Sequence, residues 1–81
     1  MYQMNEQDAN RPIVAFPLNY SDAPVFCEAV MEEDHFSIYF NGKFMGNLEL
    51  NENTTWVMSE GTILPQEIID RIGAHIEGHL D

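Results

Sequence analysis

The sequence predicts an α+β fold, in which a small antiparallel β-meander of four to five strands carries one C-terminal α-helix packed on one face. Through residues 12–58, apolar and polar residues alternate with the period of a β-strand, and clusters of turn residues separate the runs. Beyond residue 65 the apolar period changes to that of an α-helix. A chain of 81 residues has room for one hydrophobic core and therefore for one domain.

The chain begins with a polar segment that shows no apolar period. We therefore expect residues 1–11 to be flexible and residues 12–81 to form the single α+β domain. The first strand is predicted over residues 12–20. Pro17 places this strand at a sheet edge, because proline has no N–H to donate to a central ladder. The sequence leaves open whether the strand joins the same sheet or pairs across a dimer.

The second strand, residues 25–31, leads into a polar turn around Glu33 and Asp34. A tight turn at these two residues pairs Ala29 with Ile38, so that both side chains lie on the same face of the sheet. A longer loop that keeps the same register would also place both side chains on that face.

The next hairpin, FSIYFNGKFMGNLEL, turns at Asn41-Gly42, a pair that usually fills a two-residue turn. Such a turn would place Ile38 and Phe44 on opposite faces and expose large apolar side chains, at about 1.5–3 kcal/mol each. We therefore expect a three-residue loop with a bulge at Gly42, which pairs Ile38 with Phe44 and keeps both in the core. A longer loop that pairs Phe40 with Phe44 would also keep the apolar residues of both strands on the same face.

The remaining elements are a fifth strand around Trp56 and a helix that starts near Pro65, a residue suited to the first helical position. Gly73 and Gly78 weaken the helix by about 1 kcal/mol each relative to alanine, so we expect it to depend on docking against the sheet. The docking stripe consists of large aliphatic residues: Ile68, Ile69, Ile72, Ile76 and Leu80.

Charge is the most unusual bulk property of the chain. Fourteen acidic residues against three basic ones give a formal net charge of −11. Nucleic acids and anionic membranes are therefore not expected as partners, because binding to phosphate requires clustered lysine and arginine. A basic protein is the partner that this charge favours. The three basic residues are Arg11, Lys43 and Arg71.

Other features of the composition predict a cytoplasmic protein. No apolar run approaches the ~20 residues of a membrane span, and the first residues lack the pattern of a signal peptide. Cys27 is the only cysteine, so no disulfide forms within the chain, and a single thiol fits a reducing compartment.

Two histidines on the helix are the weak candidates for metal ligands. His75 and His79 are four residues apart and therefore share one face of the helix, a spacing that can hold a metal ion. No third ligand is evident, although folding could bring His35 or Asp81 near. The favoured interpretation is two residues at the edge of the apolar stripe, so neither a metal site nor a cofactor is predicted.

The sequence favours a protein without enzymatic activity. None of its serines lies in a G-x-S-x-G elbow, no glycine-rich phosphate loop is present, and no catalytic residue is assigned. We also expect a small sheet covered by one helix to leave little volume for a pocket of ~300 Å³ or more.

The sheet face opposite the helix is predicted to be unusually apolar, whereas the solvated face of an antiparallel sheet is normally polar. We expect it to form an interface with a protein partner or with a second copy of the chain, unless the N-terminal segment covers it or its apolar residues are simply exposed to solvent. The leading hypothesis is a protein–protein interaction module, and the alternative is an acidic inhibitor or nucleic-acid mimic that binds a basic protein. The predicted interface residues are Phe26, Val30, Tyr39, Met45 and Val57.

Overall fold

A computed structural model describes residues 13–80, and the segment 1–11 that the sequence predicts to be flexible lies outside them. Five strands and one helix follow one another along the chain: β1 (Ile13–Tyr20), β2 (Ala23–Met31), β3 (Phe36–Phe40), β4 (Lys43–Leu50), β5 (Trp56–Gly61) and α1 (Gln66–Leu80). The strands form one antiparallel sheet in the order β1-β2-β3-β4-β5. The predicted α+β meander is confirmed.

Strand β1 belongs to the same sheet and lies at its edge, as Pro17 predicts. It is joined to β2 by a two-residue turn in which Ser21 and Asp22 both have left-handed backbones, with φ of 57° and 65°. The β2–β3 hairpin is closed by the backbone N–H of Glu32, which donates to the carbonyl of His35 (2.8 Å). The predicted pairing of β2 with β3 is therefore confirmed.

The predicted loop between β3 and β4 is wrong. Phe40 pairs with Lys43, so Asn41-Gly42 forms the two-residue turn that this dipeptide favours, with φ of 53° and 84°. Tyr39 then pairs with Phe44, which places Phe44 on the opposite face from Ile38 and leaves it 48% exposed.

A β-bulge in β4 returns the apolar residues of this strand to the core face, after the tight turn has placed Phe44 on the other face. The register shifts between Ile38 and Tyr39, because Ile38 pairs with Gly46 and leaves Met45 as an extra residue. From Gly46 onward the core-facing positions of β4 match those of β3, so Leu48 is fully buried. Burial of the apolar residues therefore does fix the register of β4. The adjustment is a bulge within the strand, and the turn keeps its two-residue form.

A second bulge brings the backbones of β4 and β5 close together. Asn47 pairs with Glu60 and Leu48 with Met58, so Ser59 is the extra residue. Next to it, Gly46 faces Gly61 across the two strands. Both have positive φ, 153° and 95°, and a Cβ on either one would overlap the backbone of the other strand. Only glycine fits this crossing.

Helix α1 covers one face of the sheet through its isoleucines, as its apolar stripe predicts. The carbonyl of Pro65 accepts hydrogen bonds from the N–H groups of Ile68 and Ile69 (2.9 and 3.0 Å), so the first turn begins at the proline. The Leu80 side chain and Asp81 lie outside the described part of the chain. The largest fully buried side chains are Ile38, Leu48, Ile72, Ile76 and Cys27.

Trp56 fastens the helix to the sheet. Its indole lies directly against Gly73, where a Cβ would overlap the ring. The indole Nε1 donates to Glu77 Oε2 (2.8 Å), and the Trp56 carbonyl accepts a hydrogen bond from Gln66 Nε2 (3.3 Å). Residues near both ends of α1 therefore bond to one residue of β5.

Candidate protein-interaction surfaces

The sheet face opposite α1, called the open face below, carries an aromatic group at one end. Phe26 and Phe44 are each 48% exposed, and the rings of Tyr39 and Phe44 meet edge to face with centroids 5.6 Å apart. Phe26 lies beside the β3–β4 turn, since its N–H donates to Asn41 Oδ1 (2.8 Å) and its carbonyl accepts from the Asn41 N–H (2.9 Å). The turn and the aromatic group therefore form one end of the molecule.

Of the predicted interface residues, Phe26 and Tyr39 lie near each other on the open face, since Tyr39 pairs with Glu28, two residues from Phe26 on β2. Met45 is 8% exposed and belongs to the hydrophobic core. The tight turn and the bulge place Phe44 on the open face and Met45 on the core face. The expectation that Met45 lies on the open face is therefore wrong.

The two valines of the predicted set lie further from the aromatic group. Val30 is half-buried and pairs with Ser37, one row of side chains away from Tyr39. Val57 is half-buried and pairs with Glu49 near the opposite end of the open face.

A pocket of about 340 Å³ opens between the β2–β3 hairpin and the C-terminal half of α1. We call it the acidic pocket. Its apolar lining residues are Met31, Phe36, Leu48, Leu50 and Trp56. Its acidic lining residues are Glu32, Glu33, Asp34, Glu49 and Glu77, with His35 among them.

A wider cleft of about 780 Å³ lies at the other end of α1, between the β1–β2 turn and the start of the helix. Ile63, which lines it, is 86% exposed. The expectation that so small a fold leaves little volume for a pocket of ~300 Å³ or more is wrong. The β1–β2 turn lines one of these openings and the β2–β3 turn lines the other, so the helix does not fill the space at either end of the sheet.

The two helix histidines lie on exposed positions of α1. The ring of His75 is stacked on that of Phe16, with centroids 3.7 Å apart and planes 8° from parallel, and it helps to bury this core residue. His35 lies in the acidic pocket, where its Nδ1 contacts Asp34 Oδ1 (2.8 Å). Within residues 13–80, no three histidine, cysteine or acidic side chains form a group that could hold a metal ion.

Cys27 is fully buried in the core between β1 and β3. Burial, with a smaller contribution from the charge of Glu28, raises the pKa of its thiol to about 12. The side chain therefore remains a protonated thiol at neutral pH, and it acts as a small apolar core residue.

We expect the Cys27 thiol to react with a disulfide reagent at pH 8 only when the protein unfolds. Its pKa rises from the ordinary 9.0 to about 12 on folding, so the unfolded chain loses the thiol proton first as the pH rises. This group therefore leaves stability unchanged below about pH 9 and lowers it between about pH 9 and 12. Labelling in buffer and in guanidinium, followed spectroscopically, measures the difference. Equal labelling rates in the two solutions would contradict the burial.

No helix within residues 13–80 has both the length and the apolar character needed to cross a bilayer. No protein-family model matches the chain, and no curated protein or solved structure matches it.

Proposed function

We propose that this chain is a non-enzymatic protein-interaction module that binds through the aromatic end of its open face. The observation that carries the proposal is the exposure of Phe26 and Phe44 beside Tyr39, on a sheet face that no element of the described chain covers. Aromatic side chains supply much of the binding energy at protein interfaces, because they bury a large area at a low cost in conformational entropy.

Self-association is the form of this function that the small core favours. A chain of 81 residues buries only about 60–65% of the surface that its unfolded form exposes, and binding to the folded state stabilises it by mass action. The net charge of −11 opposes a dimer, so a dimer built on the aromatic group should be strengthened by salt.

Sedimentation equilibrium tests the dimer. We expect Phe44→Lys to raise the dissociation constant about tenfold or more, because it replaces exposed aromatic surface with a charge. Ile63→Lys is the matched control, since it places the same charge on another exposed apolar position, in the segment between β5 and α1. The control variant should associate as the wild type does. A wild-type protein that remains monomeric at millimolar concentration would exclude the dimer.

The second candidate is an acidic ligand for a basic protein, and the acidic pocket favours it. Five carboxylates gather at that end of the molecule, whereas Lys43 lies beside the β3–β4 turn and Arg71 is an exposed residue of α1. A partner held by these charges should dissociate as NaCl rises from about 0.1 to 1 M, where the Debye length falls from about 10 to 3 Å. This response to salt is opposite to that of the dimer.

A further inference from the structure

The acidic pocket has an apolar interior with a fixed aromatic wall. Phe36 and Trp56 meet edge to face, with ring centroids 5.9 Å apart, and Leu48 behind them is fully buried. The Trp56 ring is held in place by its contact with Gly73 and by the hydrogen bond from Nε1 to Glu77. Leu50, at 47% exposure, leaves apolar surface open to solvent beside this wall.

The charges around this apolar surface are all of one sign at neutral pH, apart from His35. Carboxylates come from three separate parts of the fold: the β2–β3 turn, strand β4 and helix α1. They do not converge on a point, since no three of the described metal-ligating side chains form a metal-binding group. A spread of carboxylates around an apolar wall matches an extended organic cation better than a metal ion.

We propose that the acidic pocket binds an arginine side chain presented by a basic protein partner. This inference rests on the second candidate function and names the group that is recognised. The aliphatic stem of arginine would lie along Leu50 and its guanidinium would reach the carboxylates, with the half-buried ring of Phe36 available for stacking. The pocket volume of about 340 Å³ is near the smallest volume typical of ligand-binding pockets, and it suits a single side chain.

Arginine fits this site better than lysine or an anion. Its planar guanidinium donates five N–H bonds and can bond two carboxylates at once, whereas an ammonium is a compact and strongly hydrated charge. Guanidinium also stacks on aromatic rings at a lower desolvation cost. A phosphate or a carboxylate would be repelled by the five acidic side chains.

The test uses an acetylated and amidated oligo-arginine peptide, with oligo-lysine and oligo-citrulline peptides of the same length. Trp56 is the only tryptophan of the chain and lines the pocket, so its fluorescence reports occupancy. We expect oligo-arginine to change this fluorescence with saturation, oligo-lysine to bind more weakly and oligo-citrulline to have no effect. Equal binding of the arginine and lysine peptides, or no saturable change with oligo-arginine, would overturn the proposal.

Two charge-matched double variants separate the pocket from the net charge. Glu33→Gln with Glu49→Gln removes two pocket carboxylates, and Asp22→Asn with Glu60→Gln removes two that do not line it. We expect the pocket pair to weaken oligo-arginine binding about fivefold or more and the control pair less than about twofold. Equal weakening by both pairs would show attraction to the overall charge and would overturn the site.

The same peptide titration separates this site from the aromatic end of the open face. Phe44→Lys should leave oligo-arginine binding within about twofold of wild type, because Phe44 lies outside the pocket lining. A wild-type protein that stays monomeric but binds oligo-arginine saturably would overturn the dimer and retain the arginine site. Self-association without saturable peptide binding would retain the dimer and overturn the arginine site.

Discussion

Replacing Gly73 with alanine is expected to destabilise the protein by about 1–3 kcal/mol, although alanine is the better helix former by about 1 kcal/mol. A Cβ at this position would overlap the Trp56 ring, with its centre 2.5 Å from Nε1. The indole would have to move, and both its packing and its hydrogen bond to Glu77 would suffer. Urea denaturation, followed by circular dichroism, measures the free energy of unfolding.

Gly78 provides the matched control in the same helix. No atom lies within 4 Å of a Cβ built at this exposed position, so only helix propensity changes. Gly78→Ala is expected to raise the free energy of unfolding by up to about 1 kcal/mol. If both alanine variants proved stabilising, the close contact of Trp56 with the helix would be wrong.

Replacing Gly46 with alanine is expected to have the larger effect, a loss of about 3 kcal/mol or more. A Cβ there would overlap the carbonyl oxygen of Glu60 and lie 2.6 Å from the Cε of Met58, and φ of 153° is rarely adopted by other residues. Strand β5 would have to move away from β4. Because a chain of this length is stable by only about 4–12 kcal/mol, we expect a large fall in the melting temperature.

Gly42→Ala is the control that separates the cost of steric overlap from the cost of a positive φ. It has a φ of 84° in the β3–β4 turn, and a Cβ there would meet no atom within 4 Å. Gly42→Ala should therefore cost only about 1 kcal/mol, the penalty for a left-handed alanine. Calorimetry of the two variants gives the comparison. A cost for Gly46→Ala as small as that for Gly42→Ala would contradict the close approach of β4 and β5.

The candidate surfaces could be predicted from the sequence only in part. Alternation along β2 and β3 places Phe26 and Tyr39 on the open face, because strand side chains alternate and the β2–β3 register follows from its turn. The Asn41-Gly42 turn carried the signal for Phe44, since its preferred two-residue form exposes that residue. The acidic pocket had no such local signal, because its lining comes from β2–β3, β4, β5 and α1.

The sequence by itself left the number of strands at four or five, but it determined the order of the elements, the edge position of β1 and the buried stripe of α1. These features depend on period, proline and turn chemistry, which act over a few neighbouring residues. Tertiary structure decided the bulge at Met45, the pairing of Gly46 with Gly61 and the contact of Gly73 with Trp56. In each case the deciding atoms belong to another strand or to the helix, and packing selects a bulge or a glycine that periodicity leaves undetermined.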